Sequence, residues 1–483
     1  MLLMSAQEAQ VRKVAVVTAV VDRGRVLVDQ LVDTELGNSA YLVIDRESGL
    51  AATIDPPRDA DRFLSLALGG GWRIGTTLDT HVHNDFVSGG PDIRAAVGAV
   101  YGVPAGGLIA GADRELNDGD EVEVGSLRLR AIHSPGHTPE HLTYLLLGHD
   151  GAEIALLSGG ALMVGTMARP DLLGPSHTYG LSRSGRDTLR RLMATYADDL
   201  PVLPTHGGGS FCGAAVSEER VTTIGRERRD NPLVRAPDLA HFLAIHAKQG
   251  EYPTYYARMA DRNRAGQPAP TAVARLLQRI SPGQFNAAVA AGATAVDCRS
   301  QERFDATHII NSLSVPLHGP FSPWVGWVVD IDADVVLVAD SESDAEEATR
   351  QLVRIGFTCL GRWLNFDDWA AELRPAQSVV RRTMGDVAEC VLDGGALTVV
   401  DVRPEQEWAA GHLPGAVHAL PAAMHALAGR LDRASPVAVY CATGHRSAVA
   451  ASLLLRSGVT DVWHITDGVD AWRALGHPLV TAV

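Results

Sequence analysis

The sequence is short of cysteine for its length. Its 483 residues contain five cysteines, which are too few and too scattered for the disulfide framework of a secreted scaffold. We therefore expect reduced thiols, and a thiol with a role should act through its reactivity. The five thiols belong to Cys212, Cys298, Cys359, Cys390 and Cys441.

The sequence also lacks a basic excess and long apolar segments. Lysine and arginine number 42 against 57 aspartates and glutamates, a net charge of −15. Without surplus positive charge to neutralise phosphates, a nucleic-acid or anionic-membrane partner is disfavoured. No apolar run approaches the roughly 18 residues that cross a bilayer. The N-terminal charges follow a very short apolar stretch, the reverse of a signal peptide. These features predict a cytoplasmic protein.

The C-terminal half contains an internal repeat. Residues 294–316 and 398–421 both show an apolar strand, Asp-x-Arg, an aromatic residue and a histidine. The spacing from Asp297 to His308 equals that from Asp401 to His412. Strands that alternate with helical segments predict parallel sheets. We therefore expect two tandem α/β domains, at residues 276–375 and 376–483.

The N-terminal half has a different pattern. Short strand-like runs alternate with Gly, Asp and Pro turns and with helical segments, for example in SAYLVID, LTYLLLG and IALLSGG. This pattern predicts a domain of two sheets with helices outside, an αββα sandwich, over residues 1–235. Residues 236–275 are rich in charge and end in Pro and Gly, which indicates a helical connector. With the two repeats, the chain has about three domains, as its length suggests.

Histidines of the first domain have the spacing of a metal site. His81 and His83 lie in THVHNDF, after an apolar stretch, and His137 lies in HSPGHTPEH. His206 follows in PTHGGGSFCG. Neutral imidazoles two residues apart converge on one ion where the backbone turns. A His-x-His motif alone is weak, but this succession of glycine-flanked histidines favours a metal centre.

These histidine motifs, in this order, resemble those of the metallo-β-lactamase superfamily, in particular its persulfide dioxygenase and glyoxalase II branch. The resemblance covers roughly residues 12–270. It implies ligand positions at His81, His83, Asp85, His137 and His206. Two positions depart from the family pattern, because a histidine is replaced by Phe86 and an aspartate by Gly160.

The two departures leave the metal chemistry open. Neither a phenyl ring nor glycine offers a ligand atom, so two-metal hydrolysis of a lactam or thioester is disfavoured. The domain could be a metal-free relic, or it could bind one Fe(II) or Zn(II) through His81, His83 and His137. In a third alternative, Asp85 or another carboxylate completes the site. His206 is a less favoured ligand.

The last cysteine lies where a strand turns into a helix. PVAVYCATGHRSAVAASLLLRSG places Cys441 at the end of an apolar strand and before a helix. The N–H groups of such a loop and the helix dipole stabilise an anion. We expect a stabilised, nucleophilic thiolate. Gly444 permits the tight turn, Arg446 supplies a fixed positive charge, and His445 adds another when protonated.

This loop resembles that of the rhodanese family, and the resemblance covers about residues 380–483. It implies that Cys441 is the catalytic cysteine, assisted by Arg446. The loop has four residues between them, as in sulfurtransferases, whereas related phosphatases and arsenate reductases have five. The shorter loop therefore favours transfer of a single sulfur atom. Ala442 replaces a second basic residue of some relatives, so thiosulfate need not be the preferred donor. The implied substrate-binding residues are Ala442, Thr443, Gly444, His445 and Ser447.

The middle repeat lacks this chemistry. Asp340 aligns with Cys441, and the loop DSESDAEEAT has no arginine. We therefore predict a catalytically inactive rhodanese-like domain. Cys298 is interpreted as structural, and so is Cys212, with a redox role as its alternative; Cys359 and Cys390 carry no motif.

The sequence thus predicts a sulfurtransferase of sulfide and persulfide metabolism. The resemblance implies that Cys441 takes sulfane sulfur from thiosulfate or a small persulfide and passes it to a thiol or cyanide. One alternative is an iron persulfide dioxygenase with a three-histidine site. Another is a binding or assembly protein built of pseudoenzyme domains. A homo-oligomer is compatible with the sequence.

Overall fold

The computed structural model describes residues 16–213, 217–246, 250–266, 277–392, 395–432 and 435–481. The chain forms two compact units that divide near residue 270, with 353–356 grouped with the first. The N-terminal segment 1–13 lies outside the described residues, as does the end of the predicted connector from residue 267 onward.

Seven strands of the first unit form a mixed sheet in chain order. The first four strands are antiparallel, and the last three continue in parallel from the fourth. The strands are β1 (Val16–Arg23), β2 (Val26–Asp33), β3 (Asn38–Asp45), β4 (Leu50–Ile54), β5 (Arg73–Leu78), β6 (Val100–Pro104) and β7 (Arg114–Leu116).

A second sheet of this unit has six strands, in the reverse of chain order. Its pairs are antiparallel except for one parallel pair, β11 with β12. The strands are β8 (Glu121–Val124), β9 (Leu127–His133), β10 (Leu142–Leu147), β11 (Glu153–Gly159), β12 (Pro201–Pro204) and β13 (Thr222–Thr223).

The two sheets face each other, and helices cover their outer sides. Tyr41 of β3 and Tyr144 of β10 belong to one buried cluster that joins both sheets. Phe63 packs outside the first sheet, and Leu189 packs outside the second. This arrangement confirms the predicted αββα sandwich, and α5 and α6 lie in the predicted connector. The helices are α1 (Asp61–Gly70), α2 (Gly90–Val97), α3 (Pro175–Thr195), α4 (Ile224–Asp230), α5 (Leu239–His246) and α6 (Tyr256–Ala265).

The second unit contains the two predicted repeats, each built on a parallel five-stranded sheet. The sheet orders are β14-β19-β18-β15-β17 and β21-β25-β24-β22-β23, which are equivalent. Central strands such as Val335–Ala339 are buried along their whole length, as parallel strands covered on both faces require. The strands of the unit are β14 (Gln278–Arg279), β15 (Thr294–Asp297), β16 (His308–Ile309), β17 (Leu313–Ser314), β18 (Val335–Ala339), β19 (Arg362–Asn365), β20 (Ala376–Gln377), β21 (Val380–Arg382), β22 (Thr398–Asp401), β23 (Val417–His418), β24 (Val437–Tyr440) and β25 (Val462–Ile465).

Helices connect the strands of both repeats, so the tandem α/β prediction is confirmed. A 3₁₀ turn covers Pro421–Ala423. Among the described residues, no helix combines the length and the apolar character needed to cross a membrane. The helices of the unit are α7 (Pro282–Ala290), α8 (Gln301–Ala306), α9 (Phe321–Val328), α10 (Glu342–Arg354), α11 (Phe366–Ala371), α12 (Met384–Leu392), α13 (Glu405–Ala410), α14 (Met424–Ala428), α15 (His445–Arg456) and α16 (Val469–Ala474).

The Asp-x-Arg motif braces each repeat internally. Arg403 holds the carboxylate of Asp401 through two side-chain nitrogens and also donates to the carbonyl of Gly411 at 2.8 Å. Tyr440 donates its hydroxyl to the same carboxylate at 2.5 Å. The aspartate and arginine are both buried. Arg299 and Asp297 repeat the pair in the middle domain, so the motif stabilises both repeats.

Replacing Arg403 by methionine should cost about 3–5 kcal/mol of unfolding free energy, because the carboxylate of Asp401 stays buried without its cation. Urea unfolding followed by circular dichroism measures the loss. Arg473→Met is the matched control, since its pair with Asp470 is exposed and should contribute under about 1 kcal/mol. Equal losses in both variants would contradict the bracing role.

Candidate active sites

The predicted metal ligands of the first unit lie at neighbouring strand ends. His81, His83 and Asp85 follow β5, His137 lies between β9 and β10, and His206 follows β12. All five side chains are buried. Because the ends of facing sheets meet here, residues far apart in sequence form one cluster. The ring centroids of His81 and His137 are 4.8 Å apart, and those of His81 and His206 are 5.3 Å apart.

The hydrogen bonds of His81 leave its Nε2 with a lone pair. Its Nδ1 lies 2.8 Å from the hydroxyl of Thr80. That hydroxyl is itself 2.8 Å from Oδ2 of Asp55, which as a carboxylate only accepts. The single hydroxyl proton therefore points to Asp55, and Nδ1 of His81 must donate to Thr80. A neutral ring protonated at Nδ1 offers Nε2 as a metal ligand.

His137 and His206 are oriented in the same way. Nδ1 of His137 donates to the carbonyl of Arg169 at 2.7 Å, and its Nε2 is buried without a hydrogen-bond partner among the described residues. Nδ1 of His206 lies 3.0 Å from the side-chain oxygen of Asn38, whose amide nitrogen donates to Asp85 at 2.6 Å. Both histidines thus direct Nε2 into the cluster.

Three lone pairs converge as a result. The ligand atoms of His81, His137 and His206 all lie within 4.8 Å of one another, and the Nε2 atoms of His206 and His81 are 3.4 Å apart. Burial, reinforced by neighbouring histidines, lowers the pKa of His81, and it lowers the pKa of His137 to about 3. Both rings are therefore neutral at pH 7, the state in which imidazole binds metal.

His83, expected as the third ligand, has other contacts. Its Nε2 is 3.2 Å from Oδ1 of Asp55, and its ring stacks on Phe86 with centroids 4.1 Å apart. Burial alone would lower the pKa of His83, but the carboxylate of Asp55 raises it above its usual value. Its Nδ1 has no hydrogen-bond partner in the described part of the chain, so it can still act as a ligand.

Two further groups of possible ligands overlap with the first. One comprises Asp55, His81 and His83, and the other comprises His83, Asp85 and His206. The expected set of His81, His83 and His137 is not among the groups of described residues that meet the same distance limit. The structure therefore brings His206 together with His81 and His137, where the sequence favoured His83.

Gly160 stands at the position where the family resemblance implies an aspartate. A Cβ atom there would lie 3.0 Å from Cδ2 of His137 and 2.9 Å from Cβ of Ala168, so the position directly adjoins the cluster. Asp85 remains as a carboxylate nearby. Although burial would raise the pKa of Asp85, His206 lowers it, and the group is ionised.

Asp55, Thr80 and His141 were missed by sequence reasoning. Asp55 anchors the loop by accepting from the backbone N–H of Thr80 at 2.6 Å. His141 accepts from the N–H of Gly160 at 2.9 Å through its Nε2, so this nitrogen is not free for a metal. The sequence feature that could have identified Asp55 is its position between an apolar strand and two prolines.

Cys441 lies in the predicted loop between β24 and α15. Its side chain is buried, and the backbone N–H of Gly444 donates to Sγ at 3.2 Å. Oγ of Ser447 lies 3.6 Å from the sulfur. Gly444 has φ +86°, the left-handed region expected for the tight turn. The structure thus brings Cys441, Gly444 and Ser447 together at the start of the helix.

The charges near the loop differ in part from expectation. Arg446 forms two hydrogen bonds with Glu407, at 2.6 and 3.1 Å. Burial opposes its charge, but Glu407 and Cys441 together raise its pKa. Burial, assisted by the charge of Arg446, lowers the pKa of His445 to about 4. His445 is therefore neutral at pH 7 and adds no second positive charge, so Arg446 carries that role with Glu407 as its counterion.

The remaining cysteines lack such a loop. Sγ of Cys298 donates to the carbonyl of Val338 at 3.2 Å, and burial raises its thiol pKa. Burial also raises the thiol pKa of Cys212, as does the charge of Asp85. These contacts agree with the structural interpretation of both. Cys359 is exposed and Cys390 is half-buried. In the middle repeat, Arg303 pairs with Asp340 at the position of the nucleophile.

Known proteins match both halves of the chain. The model of the rhodanese-like domain family matches residues 281–366 and 386–475. The human protein named persulfide dioxygenase ETHE1, mitochondrial, is 30% identical over 200 residues, which are 40% of this chain and 74% of that protein. A hydroxyacylglutathione hydrolase of Maricaulis maris is 35% identical over 234 residues, 44% of this chain and 87% of its own.

A solved structure supports the fold. The metallo-β-lactamase from Staphylococcus aureus superposes with a TM-score of 0.64 at 24% identity, covering 71% of this chain and all of that one. At this identity the likeness concerns the fold alone.

Proposed function

Because this chain belongs to the family of metallo-β-lactamase-fold persulfide dioxygenases and hydroxyacylglutathione hydrolases and continues into two rhodanese-like domains, we propose that it is a sulfurtransferase acting through a Cys441 persulfide. The observation that carries the proposal is the bond from the Gly444 N–H to Sγ of Cys441. It holds the sulfur at a helix N-terminus, where an anion is stabilised.

The transfer proceeds in two displacements. The thiolate of Cys441 attacks the sulfane sulfur of thiosulfate or of a small persulfide, and the old sulfur–sulfur bond breaks as sulfite or a thiolate leaves with its electron pair. A thiol or cyanide then attacks the outer sulfur of the enzyme persulfide and returns Cys441 to its thiolate. No electrons are gained or lost overall. The site therefore needs only to stabilise negative charge, first on the cysteine sulfur and then on the outer sulfur of the persulfide.

The chain's own groups meet that need. The Gly444 N–H donates to the cysteine sulfur, and Arg446 supplies the nearby positive charge, partly balanced by Glu407. Ser447 lies beside the sulfur and donates to the carbonyl of Gly444 at 2.9 Å. We assign substrate binding to the loop of Ala442, Thr443, Gly444, His445 and Ser447.

The proposal is tested by mass spectrometry of the full chain after exposure to thiosulfate or glutathione persulfide. One added sulfur atom is expected on the peptide that contains Cys441, and cyanide should remove it as thiocyanate. Cys298 serves as an internal control, since its buried thiol should stay unmodified. A Cys441 peptide that reacts with iodoacetamide but never acquires sulfur from either donor would contradict the proposal.

A second function rests on the first unit. The convergent Nε2 atoms of His81, His137 and His206 fit one metal ion, and the unpaired, buried Nε2 of His137 supports this fit. We propose these three residues as ligands. A ferrous ion there would supply redox chemistry with dioxygen, and zinc would supply a Lewis acid. The protein's contribution is three imidazole rings held in place by Thr80, Arg169 and Asn38.

A further inference from the structure

The cysteine loop of the last domain is held by a buried pair that involves both repeats. His464 of β25 and Asp305 of α8 have fully buried side chains. Nδ1 of His464 lies 2.7 Å from Oδ2 of Asp305, and Nε2 lies 2.8 Å from the carbonyl oxygen of Gly444. Asp305 belongs to the middle repeat, whereas His464 and Gly444 belong to the last. The non-catalytic repeat therefore reaches the cysteine loop through one histidine.

The partners of His464 determine where its hydrogens lie. A carbonyl oxygen only accepts hydrogen bonds, and so does an ionised carboxylate. Nε2 must therefore donate to the Gly444 carbonyl, and Nδ1 and the Asp305 carboxyl group share one hydrogen bond, so the ring is held at both nitrogens. Every polar group of this small network then has a partner, as buried charges require. The arrangement contributes to fixing the direction of the Gly444 carbonyl.

The direction of that carbonyl matters for the cysteine. Gly444 donates its N–H to Sγ of Cys441, and its carbonyl accepts from His464, from the hydroxyl of Ser447 and from the N–H of Ala448. In a trans peptide, the N–H of the next residue points opposite to the carbonyl. Holding the Gly444 carbonyl toward His464 therefore also fixes the N–H of His445. The bond from His464 thus adds to the helix bond from the Ala448 N–H in fixing one amide of the anion-binding loop, that of His445.

The loop also contacts the middle repeat beside this anchor. A Cβ atom on Gly444 would lie 2.9 Å from Oε1 of Gln301, one turn before Asp305 on the same helix. In addition, the N–H of Ser314 donates to Oγ of Ser452 at 3.0 Å, and Ser452 lies on the helix that follows the loop. The middle repeat thus packs against both the cysteine loop and the helix that follows it.

Neither partner of the pair has a counterpart in the other repeat. When the repeats are aligned at Asp297 and Asp401, Asp305 corresponds to Ala409. When Trp363 is aligned with Trp463, His464 corresponds to Leu364. The pair is therefore a product of divergence between the repeats.

We propose that Asp305 is a positioning residue for sulfur transfer, acting through His464 on the peptide between Gly444 and His445 in the Cys441 loop. The middle repeat then supplies part of the active-site framework although it has no nucleophile. The proposal rests on the sulfurtransferase function proposed above. Other charges near the pair or loop are Arg381, 3.7 Å from Asp305, and Arg446 with its counterion Glu407.

The test compares Asp305→Ala, His464→Leu and the double variant in the full chain. The rate of Cys441 alkylation by iodoacetamide is measured against pH, beside thermal unfolding. Each single variant should unfold at lower temperature and be alkylated about tenfold more slowly at pH 7, because the thiolate loses oriented donors. The pH at half-maximal alkylation should rise.

The double variant separates positioning from folding. Alanine and leucine are the residues found at the equivalent positions of the other repeat, and together they leave no unpaired buried charge. Thermal stability should therefore return toward that of the unmodified protein, while slow alkylation and its shifted pH profile persist. Glu302→Ala is the control, since it removes an exposed carboxylate from the same helix and should leave alkylation unchanged.

Two results would overturn the proposal. Alkylation of the double variant with the rate and pH profile of the unmodified protein would show that the pair only stabilises the fold. An effect of Glu302→Ala as large as that of Asp305→Ala would show a general charge effect. Alkylation does not depend on sulfur transfer, so an unmodified protein that accepts no sulfur would contradict the proposed function while leaving this measurement able to detect positioning.

Discussion

Cys441→Ser should reduce sulfur transfer on the order of a thousandfold or more, because the covalent route has no other nucleophile in the loop. A serine hydroxyl is not ionised at neutral pH and cannot form a persulfide. The buried cysteine side chain is nearly the same size, so the unfolding temperature should change little. Thiocyanate formation from thiosulfate or glutathione persulfide and cyanide measures the loss.

The matched control is Cys359→Ser, which makes the same change at an exposed thiol with no loop around it. Its transfer rate should equal that of the unmodified protein. Undiminished cyanolysis in Cys441→Ser would refute the assignment of the nucleophile. Normal folding without transfer in any form of the protein would favour the alternative of a binding or assembly protein.

The cysteine loop could be predicted from the sequence because the residues that form it are close together in the chain. A buried strand, a glycine and a helix of small and apolar residues lie within one continuous segment, and the structure places β24 and α15 on either side of Cys441. The charge of His445 was not accessible in this way. It depends on the burial of the ring and on the nearby Arg446, neither of which a local pattern specifies.

The repeat also predicted the two parallel sheets, since matching strands fold into matching sheet orders. The pair of Asp305 with His464 could not be predicted from the repeat, because its members come from different repeats and their equivalents are Ala409 and Leu364. Periodicity describes what the repeats share. Contacts that arise from their divergence require the structure.

For the histidine cluster, the sequence identified the right residue types but not their roles. His81 and His83 are two residues apart and look equivalent. Their hydrogen bonds distinguish them, because Thr80 holds His81 with a free Nε2 whereas Asp55 holds the Nε2 of His83. The aspartate lies well upstream in the chain, so its influence on either ring is a tertiary effect.

His206→Gln should lower the affinity for Fe(II) or Zn(II) on the order of a hundredfold or more, whereas His83→Gln should leave most of it. Glutamine is a neutral, weak ligand in both cases, so the substitutions are chemically matched. At residue 83, its amide can still donate to Asp55, which limits the structural cost. At residue 206, the substitution removes one of the three convergent Nε2 atoms. Calorimetric titration of metal-free protein in reducing buffer measures both affinities.

Metal binding has a second readout, because an ion bound only by the folded state raises the unfolding temperature. That increase should disappear in His206→Gln and persist in His83→Gln. The reverse result would favour the set of His81, His83 and His137 expected from the sequence. Loss in both variants would favour the group of His83, Asp85 and His206. If the unmodified protein neither binds metal nor gains stability from it, the three convergent lone pairs are inherited geometry, and sulfur chemistry rests on Cys441 alone.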